Sequence, residues 1–289
     1  MEKAKKRRFG IIASIVLALV IVLGFFWASA TISKNGKHQD TLTRVEKQGK
    51  INWGVKADTK LFGLMNTKTG TPEGFDIDLA KAVTKQIGKQ TGKKLTPTFT
   101  PVTSASKVQL LKNTNIDAVM AVMTITPERA KVVDFSNAYF PAGQSLLVQK
   151  DSGINSVNDL NDSSKTVLVV VGTTAAQNIK KFAPKAKVIA LQDYASAMQA
   201  LKAGQGQAIS TDNAILYGLA TENPSYHVVG GTLTYGPYGA AFDHDEKPMV
   251  KQTNEALATL KKNGEYNRLI KKWFSGVPGL NWHELEVHG

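Results

Sequence analysis

The chain has 289 residues, of which 42% are hydrophobic and 20% charged, a balance typical of a folded protein with one large or two ordinary domains. It contains no cysteine, which excludes disulfides, thiolate metal sites and a cysteine nucleophile. The formal net charge is +13, but the lysines are scattered and no basic stripe is interleaved with aromatic residues, so we do not expect nucleic-acid binding.

A basic cluster at the N-terminus is followed by a long apolar run. Phe9 to Ala30 carries no charge, and a helix of this length would extend about 33 Å, enough for the hydrocarbon core of a bilayer. The basic residues before the run indicate that the N-terminus stays in the cytoplasm and that the remainder is exported. We therefore interpret residues 1–30 as a signal peptide or membrane anchor.

The choice between these two interpretations stays open. Ala28-Ser29-Ala30 is typical of a cleavage site, whereas the length of the apolar run favours an uncleaved anchor. Since the chain has no cysteine, a lipid-modified cysteine is excluded. Residues 31–49 are polar and lack apolar periodicity, which predicts a linker. The exported part is expected either at the outer face of the cytoplasmic membrane or secreted, in a Gram-positive bacterium.

From Ile51 onward, short apolar runs alternate with helical patterns, as in α/β domains. Gly74 breaks the preceding segment, and Asp76 and Asp78 lie in the first turn of the next helix, where they complement its dipole. Thr126 and Pro127 are typical of the cap and first position of another helix. The predicted elements of this half are strands at 51–55, 96–101 and 118–123 and helices at 74–90, at 106–112 and after Thr126.

The alternation then begins again. Strands are predicted at 166–171 and 207–210, and helices after Gly172 and at 194–202, 212–220, 248–263 and 265–274. This repetition predicts two α/β lobes. Residues 50–142 and 237–289 would form lobe 1 and residues 143–236 lobe 2, with the chain crossing between them near Ala142-Gly143 and Gly236–Gly239.

Two predicted helix starts carry groups suited to a free amino acid. Such a ligand presents a carboxylate, which an arginine fork and helix N-terminal amides bind well, and an ammonium, which needs a carboxylate. Thr124 and Arg129 surround one helix start, and Thr173-Thr174 open another. Each also has a simpler interpretation: a first-turn arginine is usually a surface residue, and Thr174 or Asp212 would serve as a helix cap.

Catalytic signals are scarce. The sequence contains no G-x-S-x-G elbow, H-E-x-x-H pair or phosphate-binding glycine loop, and its five histidines do not have metal-ligand spacing. We therefore expect no catalytic residues, no cofactor and no metal.

Four segments resemble one family. Gly74–Val83, Asp117–Phe135, Val171–Thr174 and Thr211-Asp212 occur in the order found in the amino-acid-binding family (family 3) of bacterial extracellular solute-binding proteins, which serve ABC importers. The similarity extends over roughly residues 50–275. It implies a two-lobe periplasmic-binding-protein-like (type II) fold with the ligand in the cleft. It also implies a protein that docks on the membrane subunits of an ABC transporter, which we expect it to do as a monomer.

The resemblance also implies residue roles. Thr124, Arg129 and Thr174 match positions that bind the ligand's α-carboxylate, Asp212 matches the carboxylate that accepts the ammonium, and Asp58 falls where the family often has an aspartate lining the cleft.

Ligand specificity is predicted from side-chain positions. Glutamate and aspartate binders often have an arginine at the position of Lys107, where it reads the distal carboxylate, and Lys60 is a second possible cation. Glutamine binders place an aromatic residue at Ser104 and a lysine at Val170. These differences favour glutamate as ligand, with glutamine second. The alternatives are a ligand-sensing receptor domain and a small secreted dehydratase on the same fold.

Overall fold

The computed structural model describes residues 39–287, and its strands alternate with helices as the apolar pattern predicts. The helices are α1 (Thr41–Gln48), α2 (Phe75–Thr91), α3 (Lys107–Lys112), α4 (Pro127–Ala130), α5 (Thr174–Phe182), α6 (Tyr194–Lys202), α7 (Asn213–Glu222), α8 (Lys247–Lys262) and α9 (Glu265–Phe274), with short 3-10 turns at Val157–Leu160 and Trp282–Leu285. The strands are β1 (Lys50–Val55), β2 (Asp58–Thr59), β3 (Gly63–Asn66), β4 (Thr71–Glu73), β5 (Thr96–Pro101), β6 (Ala118–Val119), β7 (Asp134–Phe135), β8 (Gln144–Gln149), β9 (Thr166–Val170), β10 (Lys187–Leu191), β11 (Ala208–Asp212), β12 (Tyr226–Val229) and β13 (Ala241–Phe242).

The first sheet has the strand order β5-β1-β6-β13-β7. Its interior strand β1 runs parallel to both β5 and β6, and Trp53 and Val55 on it are fully buried. Parallel sheets covered on both faces read as continuous apolar runs, which is why the sequence indicated this strand. We call the part of the molecule around this sheet lobe 1.

The second sheet has the order β10-β9-β11-β8-β12. Strand β9 is parallel to β10 and β11, and β8 is antiparallel to β11 and β12. Val167 to Val170 are fully buried, in agreement with the strand predicted here. We call the part around this sheet lobe 2. In open α/β sheets, ligands bind beyond the carboxyl ends of the parallel strands, and the predicted site residues Thr174 and Asp212 lie at those ends of β9 and β11.

The chain crosses between the sheets twice, at neighbouring positions. Gly236 donates its N–H to the Ala142 carbonyl at 2.7 Å, and Tyr238 donates to Phe140 at 2.9 Å. The Tyr238 ring also stacks on Phe140, at 5.6 Å between centroids, and both side chains are buried. These crossings lie between strands of the first sheet at 50–135 and 241–242 and strands of the second at 144–229. The exact lobe boundaries stay a prediction.

One prediction for the N-terminal region is corrected. The linker was expected to extend to residue 49, but Thr41–Gln48 form α1, which packs on lobe 1. Val45 is fully buried, the Thr41 N–H donates to Glu246 Oε2 at 2.7 Å, and Arg44 pairs with Asp117 at 2.8 Å. With Val45 as its only fully buried apolar side chain, this helix gives almost no periodic signal.

The predicted signal peptide or anchor, including its N-terminal apolar helix, and residues 31–38 of the predicted linker lie outside the described residues. Among residues 39–287, none of the helices combines the length and apolar character needed to traverse a bilayer.

Candidate functional site: the cleft between the lobes

The two lobes touch directly along the cleft. Gly172 of lobe 2 has φ +78°, and a Cβ there would lie 2.8 Å from backbone atoms of Ala105 in lobe 1, so only glycine permits this approach. Lys60 of lobe 1 pairs with Glu222 of lobe 2 at 2.8 Å. The lobes are therefore in a closed arrangement.

A cavity of about 450 Å³ opens between the lobes. Three of the six predicted site residues line it: Thr124 from lobe 1, and Thr174 and Asp212 from lobe 2. Their side chains are almost completely buried. The topology thus brings together residues that are up to 88 positions apart in sequence (212 − 124 = 88).

Arg129 joins the two walls of the cleft. The Thr126 hydroxyl caps α4 by accepting from the Arg129 N–H at 3.2 Å, as the sequence predicted. The guanidinium then donates from Nη1 to the Thr124 carbonyl at 2.8 Å and from Nη2 to the Gly172 carbonyl of lobe 2 at 3.1 Å. Burial lowers the pKa of Arg129, and the charge of Asp212 raises it. Arg129 is thus partly buried between the lobes, and its role in binding a ligand stays a prediction.

Asp212 lies at the cap position of α7, but its carboxylate makes no capping hydrogen bond. Oδ2 instead accepts from the Tyr238 hydroxyl at 2.8 Å. Burial raises the pKa of Asp212 to about 6, although the Tyr238 hydrogen bond and the charges of Lys107 and Arg129 lower it. Near neutral pH the carboxylate is thus ionised inside the protein, where only hydrogen bonds and opposite charge make its burial tolerable.

The two threonines at the start of α5 have different surroundings. The Thr173 hydroxyl caps the helix by accepting from the Ala176 N–H at 3.3 Å and donates to the Val170 carbonyl at 2.7 Å. Thr174 begins the helix, is 8% exposed and lines the cavity. Thr173 therefore caps the helix, and the Thr174 hydroxyl is not needed for capping.

Asp58 is held by a buried lysine that the sequence analysis missed. Lys56 is 1% exposed, and its Nζ lies 2.9 Å from Asp58 Oδ1 and 5.7 Å from the centroid of the Tyr194 ring in lobe 2. The Tyr194 hydroxyl is hydrogen-bonded to Thr211 at 3.0 Å. Burial raises the pKa of Tyr194, and the charges of Asp212 and Asp58 raise it further. Asp58 is thus one half of an ion pair and does not itself line the cavity.

Lys107 is a buried lysine of lobe 1. It is 2% exposed, and its Nζ donates to the Ala121 carbonyl at 3.0 Å. Burial lowers its pKa well below the ordinary value, together with the charges of Arg129 and Lys56. Its role in reading a distal carboxylate stays a prediction.

The segment that leads to Thr124 adopts an unusual backbone conformation. Val122 has φ +43°, which is rare for a β-branched residue and typical of strained functional sites. Its N–H donates to Asp76 Oδ2 at 2.9 Å, while Lys107 binds the carbonyl of the same peptide group, that of Ala121. Two buried ionisable side chains therefore fix the peptide between Ala121 and Val122, just before Thr124, which lines the cavity.

These features define a two-lobe α/β binding protein with a polar interlobe cleft. The model of the family described as bacterial extracellular solute-binding proteins, family 3, matches residues 51–276, and the chain belongs to this family. The predicted family resemblance and fold class are thereby confirmed.

Three proteins illustrate the similarity. The chain is 45% identical over 268 residues to the ABC transporter glutamine-binding protein GlnH of Bacillus subtilis (strain 168), covering 93% of this chain and 96% of that protein. It is 49% identical over 213 residues to the glutamine-binding protein of Geobacillus stearothermophilus, covering 73% and 79%. The solved structure of an ancestral arginine-binding protein bound to glutamine is 38% identical, with a TM-score of 0.70, covering 78% of this chain and 98% of that one.

The burial of Asp76 yields a prediction for stability. Burial raises the pKa of Asp76 from 3.8 to about 7, so the folded state holds this proton more tightly than the unfolded state. The corresponding stabilisation is fully present below about pH 4 and is lost as the pH rises through about 7. Asp76→Asn removes this titration. We expect its free energy of unfolding, relative to wild type, to rise by on the order of 2–4 kcal/mol between about pH 4 and pH 8, measured by denaturant unfolding.

Asp78→Asn is the matched control from the same helix turn. Although burial raises the pKa of Asp78, hydrogen bonds from Lys272, Lys81 and Trp273 lower it below the ordinary value. Its stabilisation is therefore lost only as the pH falls below about 4, and its difference from wild type should stay constant across the same range. A constant difference for Asp76→Asn would contradict the assignment.

Proposed function

We propose that this chain is the extracellular substrate-binding component of an ABC importer for polar amino acids, with glutamine as its preferred ligand. The observation that carries the proposal is its identity of 45% and 49% to two glutamine-binding proteins. The expectation of glutamate as first choice is not supported, since neither name mentions it.

The chemistry of the cleft supports an amino-acid ligand. Arg129, Thr124 and Thr174 would bind the α-carboxylate, because a guanidinium fork and hydroxyl groups donate several hydrogen bonds to it. Asp212 would accept the ammonium. These groups come from both lobes, so only the closed form offers the complete set, and ligand binding shifts the population toward closure.

The lysines near the cleft favour a neutral ligand side chain. Lys56 is paired with Asp58, Lys60 with Glu222, and Lys107 donates to the Ala121 carbonyl. A distal carboxylate would have to compete with these partners, whereas the carboxamide of glutamine requires no cation. Asp58 would then neutralise the charge of Lys56, so that the cleft presents no free cation from this lysine.

Transport follows from docking of the closed form on membrane subunits of the importer. We place the protein outside the cytoplasmic membrane as a monomer, held by residues 1–30 if these are not cleaved. Binding without catalysis is favoured over the dehydratase alternative because both glutamine-binding relatives carry names of binding proteins. The receptor alternative would be favoured only if no transporter depended on the protein.

Calorimetric titration with the twenty amino acids tests this function. We expect glutamine to bind most tightly and glutamate at least about tenfold more weakly, a difference of about 1.4 kcal/mol. Tighter binding of another amino acid would contradict the specificity, and absence of binding to all twenty would contradict the function. Mass spectrometry of the same mixtures would reveal a chemical product if the protein were a dehydratase.

Removing the guanidinium tests the carboxylate site. Charge-assisted hydrogen bonds contribute about 1.5–3 kcal/mol each, so Arg129→Ala should abolish the rise in melting temperature on addition of glutamine while the ligand-free protein stays folded. Arg129→Lys retains the charge without the fork and should restore only part of the shift. An undiminished shift in Arg129→Ala would remove Arg129 from the site.

The raised pKa of Asp212 predicts a pH dependence of binding. Its pKa is about 6 in the folded protein, and the protonated carboxyl cannot neutralise an ammonium. The dissociation constant for glutamine, whose side chain does not titrate, should be constant between about pH 7 and pH 8 and rise up to about tenfold per unit below about pH 6. The loss of affinity at low pH should persist in Asp76→Asn. This variant therefore separates the titration of Asp212 from that of Asp76. Equal affinity at pH 7 and pH 5 would exclude Asp212 as the ammonium partner.

A further inference from the structure

Gln144 has a rigidly held backbone at the edge of the cleft. It is the first residue of β8 and directly follows the crossing at Ala142-Gly143. Its N–H donates to Thr234 Oγ1 at 3.1 Å, and its carbonyl accepts from the Leu233 N–H at 2.7 Å. The position of this residue is therefore fixed by the sheet and by the second crossing segment.

The side chain of Gln144 is buried, and its carbonyl oxygen is unpaired within the part of the chain that the structure describes. It is 2% exposed, and its Oε1 is buried without a hydrogen-bond partner among the described residues. Leaving a buried acceptor unpaired is costly, and such groups in native proteins call for an explanation. The residue lines the same cavity as Thr124, Thr174 and Asp212. Because Oε1 itself is closed off from solvent, it meets a ligand only after the side-chain amide turns toward the cavity.

The register of the sheet places Gln144 next to the ammonium site. It is the antiparallel partner of Asp212, and side chains of directly opposed residues project to the same face about 4.5–5.5 Å apart at Cβ. A ligand whose ammonium lies on Asp212 therefore has its own side chain within reach of this wall.

We propose that Gln144 is a specificity-determining residue that hydrogen-bonds to the side-chain carboxamide of the bound amino acid. This inference rests on the proposed function. A carboxamide both donates and accepts, so a ligand carboxamide gives the unpaired Oε1 a donor and accepts from Nε2 in return. The carboxylate of glutamate only accepts, and it would leave Oε1 unpaired beside Asp212. Sites that hydrogen-bond a particular polar group discriminate strongly against analogues that cannot complete the pairing.

The test compares Gln144→Ala and Gln144→Glu with Gln177→Ala, measured by calorimetry with glutamine and glutamate. Gln177 is the matched control, because it lines the same cavity but is exposed. We expect Gln144→Ala to weaken glutamine at least tenfold and to reduce the preference for glutamine over glutamate at least fivefold. Gln144→Glu should abolish glutamate binding, since it adds a second carboxylate beside Asp212. Gln177→Ala should change either affinity less than twofold.

Thermal unfolding of the ligand-free variants separates ligand contact from a structural role. Since the Gln144 Oε1 has no partner among residues 39–287, Gln144→Ala should melt within about 2 °C of wild type. A clear loss of ligand-free stability, or an equal weakening of all amino acids, would overturn the inference, as would unchanged binding in Gln144→Ala. If wild-type protein bound no amino acid, the proposed function would fail as well, whereas the other results leave that function standing.

Discussion

The structure depends on a buried carboxylate that the protein alone does not fully neutralise. Asp212 is 6% exposed and receives one hydrogen bond, from Tyr238, while Arg129 and Lys107 act on it through their charges. Burying a charge is costly unless it is paired and hydrogen-bonded. Under the proposed function, a ligand ammonium would supply the missing partner, and the cost of burying this one carboxylate would link ligand binding to closure of the lobes.

The rest of the site holds that interaction in place. The stacked rings of Phe140 and Tyr238 fix the hydroxyl that binds Asp212, on a segment that crosses between the lobes. On the opposite wall, Asp76 and Lys107 hold the strained peptide before Thr124 from its two ends. Buried polar groups behind the cleft thus fix the positions of the groups that line it. Supporting residues are expected to do this in preorganised sites.

The sequence predicted what local patterns encode. The strands of both sheets that are continuous apolar runs, the helix after Gly74 and the Thr126 cap could be found because their signals lie within a few neighbouring residues. Gly74 has φ +154°, and a Cβ there would lie 2.1 Å from the Phe62 carbonyl oxygen, which explains why this glycine marks the helix start. Thr174 and Asp212 were indicated by the resemblance to a family, not by their own spacing.

The sequence did not reveal features that arise only from tertiary contacts. Tyr238, Lys56 and Gln144 reach the cleft from strand ends and crossings and have no neighbouring motif. The burial of Lys107 was equally hidden, since lysine is nearly always exposed and only the packing of α3 against β6 encloses it.

A distance measurement between the lobes tests the central claim most directly. Because the chain lacks cysteine, Gln109→Cys and Gln199→Cys at exposed positions of the two lobes permit specific spin labelling. The account predicts that glutamine shortens the inter-label distance in this protein but not when Asp212→Asn is added. Glutamine binding with no change in distance, or the same shortening with Asp212→Asn, would contradict it.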